Sequence, residues 1–168
     1  AINTFRDKYF ALPGDMTNAT AVWGVRAGTG SDVTCHQTLA TFTGTCNGDG
    51  NGQIQTISGD ASYGERFLFW QHLAKAGLIE GNYTGASGSA ASEVRVAGTN
   101  LPKPKIGNAY FMMAYHAGPI SGHAELYDGS YNANFMILAG YANPLKPVEA
   151  WTLIQKWTME SQQLGASL

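Results

Sequence analysis

Apolar positions recur at helical spacing from the first residues: Ile2, Phe5, Tyr9 and Leu12 share one side of a helix that must stop before Pro13-Gly14, where proline removes a donor and glycine frees the backbone. From Asp15 to Asp60 the pattern dissolves into Gly, Thr, Asn and Ser, with short apolar patches at 21–25 and 39–42. This predicts a long excursion with little regular structure, and loops of that length need to be pinned. Periodicity then returns. Ser62-Tyr63-Gly64-Glu65 is a capping-box pattern; Phe67, Trp70, Leu73 and Ala74 follow on one stripe, Leu68 and Phe69 widen it, and Gly77 sits where a left-handed C-cap belongs. Leu78-Ile79 is expected to fold back onto that helix.

Three later stretches read as strands, Glu93 to Ala97, Ala109 to Ala117 and Ala133 to Tyr141, each bounded by Gly, Asn or Pro. A shorter strand is expected at His123 to Tyr127, with Asp128-Gly129 as a tight turn. Pro147-Val148-Glu149-Ala150-Trp151 opens a last helix, with proline in the first turn and an acid near the positive end of the dipole, running to Gln163. The order helix, long loop, helix, strands, helix defines an α+β class, with helices and strands segregated.

Composition narrows the picture. At 168 residues and 44% apolar content the chain can bury one compact core, so residues 1–168 are read as a single domain. Charged residues make up 13%, the net charge is -2, and the basic residues are scattered, Lys103 and Lys105 being the nearest approach to a patch. Nucleic-acid binding is therefore not indicated. Low charge and many small polar residues fit exported, loop-rich proteins. The sequence contains no run of 18 apolar residues, hence no membrane span or secretory h-region as written. Ala1 to Arg6 reads as the middle of a helix with no capping residue ahead of it, which gives the expectation that a helical segment precedes it.

The candidate chemistry is sparse. Cys35 and Cys46 fit neither zinc-cluster nor CxxC spacing, which leaves a disulfide and free thiols as the readings; a disulfide would place the chain in an oxidising compartment. Asn47-Gly48-Asp49-Gly50-Asn51-Gly52-Gln53-Ile54 sets oxygen-bearing side chains at alternate positions with a glycine at the sixth, which is how a short loop delivers oxygens to calcium. The candidate ligands are Asn47, Asp49, Asn51 and Gln53, with Asp60 or Glu65 to complete the shell. Ser58 stands where an EF-hand has its bidentate Glu, so binding by the loop alone would be weak; the same residues also make good turns without a metal. His36, His72, His116 and His123 form no metal spacing, and no serine lies in a GxSxG elbow. Nothing pairs a nucleophile with a base, so no catalytic residue is assigned and an enzyme is not expected.

Ile2-Asn3-Thr4-Phe5-Arg6-Asp7-Lys8-Tyr9 followed by Leu12-Pro13-Gly14-Asp15-Met16 resembles bacterial type IV pilin-like proteins and type II secretion pseudopilins. Asn47 to Ile54, Tyr63-Gly64-Glu65, Phe69-Trp70-Gln71-His72-Leu73, Ala76-Gly77-Leu78-Ile79 and Tyr83-Thr84-Gly85 continue the match in order, and Pro147 to Trp151 extends it more weakly. The resemblance implies a pilin-like head in which the first helix packs with a second against a small antiparallel sheet, residues 1–12 being the end of a longer N-terminal helix. It implies a precursor with a leader and transmembrane helix, cut by a prepilin peptidase and handled by an inner-membrane assembly platform. It further implies a periplasmic or extracellular head, with other pilin or pseudopilin subunits and exported cargo as partners. A structural subunit is thus the leading expectation. A tip adhesin or minor pilin that binds a glycan, surface or exported protein is the alternative, and a periplasmic hydrolase a third. The segment from Cys35 to Cys46 and the chain after Trp151 depart from the pattern. Calcium sites of major pseudopilins lie towards the C-terminal end, so the resemblance assigns no ion to 47–54.

Overall fold

The structure, a computed structural model, describes residues 1–26, 35, 43–54, 64–86, 94–105, 109–116 and 133–140. The expected C-terminal helix, the strand at 123–127, the cap residue Ser62 and Asp60 lie outside the described residues.

Helix α1 spans Ile2–Tyr9 and buries Phe5. It ends at Phe10, which adopts the left-handed conformation (φ 53°) and returns its N–H to the Arg6 carbonyl. Leu12-Pro13-Gly14-Asp15 then makes a type II turn: proline takes the second position, Gly14 has φ 88°, and the Asp15 N–H donates to the Leu12 carbonyl at 3.2 Å. That turn reverses the chain and carries Asp15 inward. Asp15 is 5% exposed.

The expected irregular excursion is interrupted by a short helix, α2, at Ala19–Trp23. Asn18 holds its N-cap position without a side-chain hydrogen bond. The capping oxygen comes instead from Asn47, whose Oδ1 accepts the Thr20 N–H at 2.9 Å. A donor left over at the helix start is thus satisfied from a distant loop, which local sequence cannot announce.

Helix α3 spans Gly64–Lys75, with Glu65 in its first turn and His72 and Lys75 in its last. It closes in a Schellman motif: Gly77 (φ 71°) donates to the Ala74 carbonyl at 2.9 Å and Leu78 to the Leu73 carbonyl at 3.0 Å. Phe67, Leu68, Phe69, Trp70, Gln71, His72 and Leu73 are all buried, so the helix is enclosed on most sides rather than lying on a surface by one stripe.

Strands β1 (Ala109–His116) and β2 (Ala133–Gly140) pair antiparallel, with Ala109 opposite Gly140 and His116 opposite Ala133. The strand expected at Glu93 to Ala97 does not form a ladder over its described part. Val94 to Asn100 instead folds into a turn around the buried Asn100, whose carboxamide accepts from the Val96 N–H and donates to the Val94 and Ala86 carbonyls. The Val96 carbonyl receives the N–H groups of Thr99 and Asn100. Those bonds consume the backbone groups that a neighbouring strand would need.

The core gathers Phe5 of α1, Met16 and Ala19, Ile54, the buried face of α3, Leu101, and Tyr110, Met112 and Met113 of β1. Within it Phe5, Tyr9, Trp23 and His72 form an aromatic cluster: Phe5 stacks parallel to the His72 ring at 6.4 Å, and Trp23 lies 5.3 Å from both Tyr9 and His72. His72 is fully buried and bonded through both ring nitrogens. Nδ1 accepts the Gly14 N–H at 3.0 Å, and Nε2 faces Thr45 Oγ1 at 3.0 Å and the Cys46 carbonyl at 3.3 Å. Because Nδ1 accepts, Nε2 carries the proton. The Thr45 hydroxyl donates in turn to Gln71 Oε1 at 2.7 Å, and Gln71 Nε2 donates to the Thr84 carbonyl.

Cys35 and Cys46 form a disulfide, with Cα atoms 5.9 Å apart and a separation of 11 residues, packed on Leu68 of α3. Replacing both by serine is expected to lower stability by about 2–3 kcal/mol in the chain-entropy model, a fall in Tm of roughly 5–10 °C for a chain of this size. Calorimetry of the Cys35→Ser/Cys46→Ser variant measures it. An unchanged mass on reduction of protein made in an oxidising compartment would remove the bond from the account.

Candidate functional site

Three segments converge at one place: the turn Leu12 to Asp15, the loop 47–53 and the first turn of α3. Glycine makes the approach close enough. A Cβ on Gly48 would lie 2.3 Å from the Gly14 carbonyl oxygen and 2.4 Å from the Asp15 Cα, and one on Gly14 would lie 2.5 Å from the Glu65 carbonyl oxygen. Backbone therefore packs on backbone, and the side chains of Asp15, Asp49 and Glu65 are brought together. These carboxylates present oxygens that all lie within 4.8 Å of one another.

Their environments differ. Glu65 is fully buried, Asp15 nearly so, and Asp49 exposed. Glu65 Oε1 accepts the Asp49 N–H at 3.0 Å, which ties loop to helix. Asp49 accepts from the Asn51 N–H at 3.0 Å and from the Asn51 carboxamide at 2.8 Å. Asp15 Oδ2 accepts the Gly52 N–H at 2.9 Å, while Oδ1 is buried without a hydrogen-bond partner among the described residues. Burial lifts the Asp15 pKa above its ordinary value of 3.8; backbone N–H groups of Gly52, Gly50 and Asn51 oppose the rise, and the Asp49 charge adds to it. A raised carboxylate pKa means that the folded chain keeps this proton to higher pH than the unfolded chain. Its contribution to stability is therefore lost as pH rises from 3.8 through the higher folded value. A cleft of about 680 Å³, lined among others by Arg6, Asp7, Phe10, Asp15 and Gly52, opens from this point to solvent.

Of the ligands expected from sequence, Asp49 lies in the cluster. Asn47 is turned away to cap α2, and Asn51 Oδ1 accepts the Gln53 N–H at 2.7 Å, so one carboxamide serves a neighbouring helix and the other the loop's own turn. Gln53 appears here through its main chain, and Asp60 lies outside the described residues. Glu65, expected as a completing residue, joins Asp49. Asp15 is the member that sequence reading missed: the Pro-Gly turn before it fixes the local backbone, and nothing in the neighbouring sequence marks which residues it meets. The loop is also sewn to the sheet: Asn134 of β2 accepts the Ile54 N–H at 2.7 Å and donates to the Gly52 carbonyl at 2.8 Å.

No family model matches the chain, and no curated protein or solved structure matches it significantly. Among the described residues no helix is long and apolar enough to cross a membrane.

Proposed function

We propose that the chain is the head of a structural subunit of pilin or pseudopilin type, which assembles with other copies or related subunits and catalyses no reaction. The observation that carries the reading is the way α1 is held. Phe5 anchors it in the core, Tyr9 and Ile2 lean on the same side, and Asn3, Thr4, Arg6, Asp7 and Lys8 face outward. A helix fixed along one stripe, with its outer face open, is suited to continue towards a filament axis while the head stays rigid behind it. The resemblance of Ile2 to Tyr9, Leu12-Pro13-Gly14-Asp15-Met16 and the residues of α3, in that order, to pilin-like proteins supports the same reading. The Cys35–Cys46 disulfide agrees with a periplasmic or extracellular head. Its partners would be neighbouring subunits, the assembly platform and peptidase acting on a precursor, and exported cargo.

The residues encoded ahead of Ala1 test this. The expected finding is a leader ending in glycine, then an apolar helix that begins with phenylalanine and carries glutamate at its fifth position. A cleavable signal peptide joined directly to Ala1 would overturn the proposal.

A further inference from the structure

We propose that Asp15, Asp49 and Glu65 form a divalent-cation site of calcium type that clamps the turn 12–15, the loop 47–53 and the start of α3 together. Two independent observations meet here. The carboxylates converge within 4.8 Å, and like charges at that spacing repel unless something neutralises them. Separately, Asp15 Oδ1 is buried and has no hydrogen-bond partner among the described residues, on a side chain only 5% exposed. A buried acceptor of this kind costs free energy unless a proton or a cation satisfies it.

The donor set selects the ion class. All the charged donors are oxygens, with no thiolate or imidazole among the three, which disfavours zinc and copper and favours a hard cation. The donors come from a type II turn, a glycine-rich loop and a helix, an irregular arrangement that calcium accepts more readily than magnesium, which demands near-octahedral geometry. Water can fill the remaining positions from the adjoining cleft. The site differs from the alternating-oxygen loop read from the sequence: it drops Asn47, Asn51 and Gln53, keeps Asp49 and the completing residue Glu65, and adds Asp15 from a distant segment. It does not depend on the chain being a filament subunit.

The test is thermal melting of the whole chain in CaCl2 against chelator, at matched ionic strength. At roughly 10 mM calcium and an affinity near that of weak extracellular modules, the midpoint should rise by about 5 °C. Asp15→Asn should abolish the rise yet melt no lower than wild type in chelator, since it removes a buried charge while keeping an acceptor for Gly52. Asp7→Asn, on the same cleft, should keep the full response. A flat wild-type response, an undiminished rise in Asp15→Asn, or an equal rise with magnesium would each overturn the assignment. Should Asp15→Asn fail to fold, titration calorimetry of CaCl2 into the exposed-site variant Asp49→Asn decides: at least tenfold weaker binding supports the site, and unchanged affinity refutes it.

Discussion

Replacing Phe5 with alanine is expected to cost about 3–5 kcal/mol of folding free energy, the range for truncating a fully buried aromatic ring. That is a large share of the total stability of an ordinary domain, about 5–15 kcal/mol. The reason lies in what Phe5 touches. It is 0% exposed and lies within ring-contact distance of Tyr9, Trp23 and His72, so its loss opens the middle of the aromatic cluster rather than its edge. It is also the buried residue of α1, an 8-residue helix too short to persist without tertiary contact. Urea denaturation measures the loss, and hydrogen exchange should show residues 2–9 opening first. Phe10→Ala is the control: Phe10 is 93% exposed, and its removal should change stability by no more than about 0.5 kcal/mol. Equal losses from the two variants would show that α1 does not depend on docking through Phe5.

Gly14→Ala should be nearly as damaging, by about 2–5 kcal/mol, because two penalties act at one residue. Its φ of 88° is strained for any side chain, and the new Cβ would meet the Glu65 carbonyl oxygen at 2.5 Å and the Phe69 N at 3.0 Å, backbone atoms that cannot rotate aside. Gly52→Ala separates the two effects. Gly52 has φ 81° with no atom of the described residues within 4 Å of the added Cβ, so it should lose only the conformational part, about 1–2 kcal/mol. If both variants lose the same amount by denaturation, close packing is not what requires glycine at position 14.

Reading the sequence succeeds where one residue's role is set by its neighbours in the chain. The apolar spacing of Ile2, Phe5 and Tyr9, the Gly77 cap and the β-rich runs at 109–117 and 133–141 each overlap an element of the structure, although α1 stops at Tyr9, short of Leu12 on the expected stripe. It fails where the decisive partner is far away. Helix α2 is short and takes its cap from Asn47, and Val94 to Asn100 is shaped by one buried carboxamide that competes with strand pairing. The acidic cluster divides the same way. Asp49 stands in a loop whose alternation of oxygens and glycines is visible in the sequence, and Glu65 begins a helix. Asp15 follows a Pro-Gly turn with no local mark of its destination, and only the packing of Gly48 on Gly14 and Asp15 places it beside the others.

The bond from the Gly14 N–H to His72 spans 58 residues, and Arg26 reaches the Thr84 carbonyl across the same separation. During synthesis, then, α1 can reach only Trp23 among its aromatic partners until the chain has grown beyond residue 72, and the interior is not closed until Leu101 and the β1 residues Tyr110, Met112 and Met113 arrive. For that interval the first half of the molecule is an exposed, unfolded chain bearing two thiols. The order in which segments become available therefore decides when the protein can first be protected from proteases, and a chain halted before the end of α3 should remain open to them.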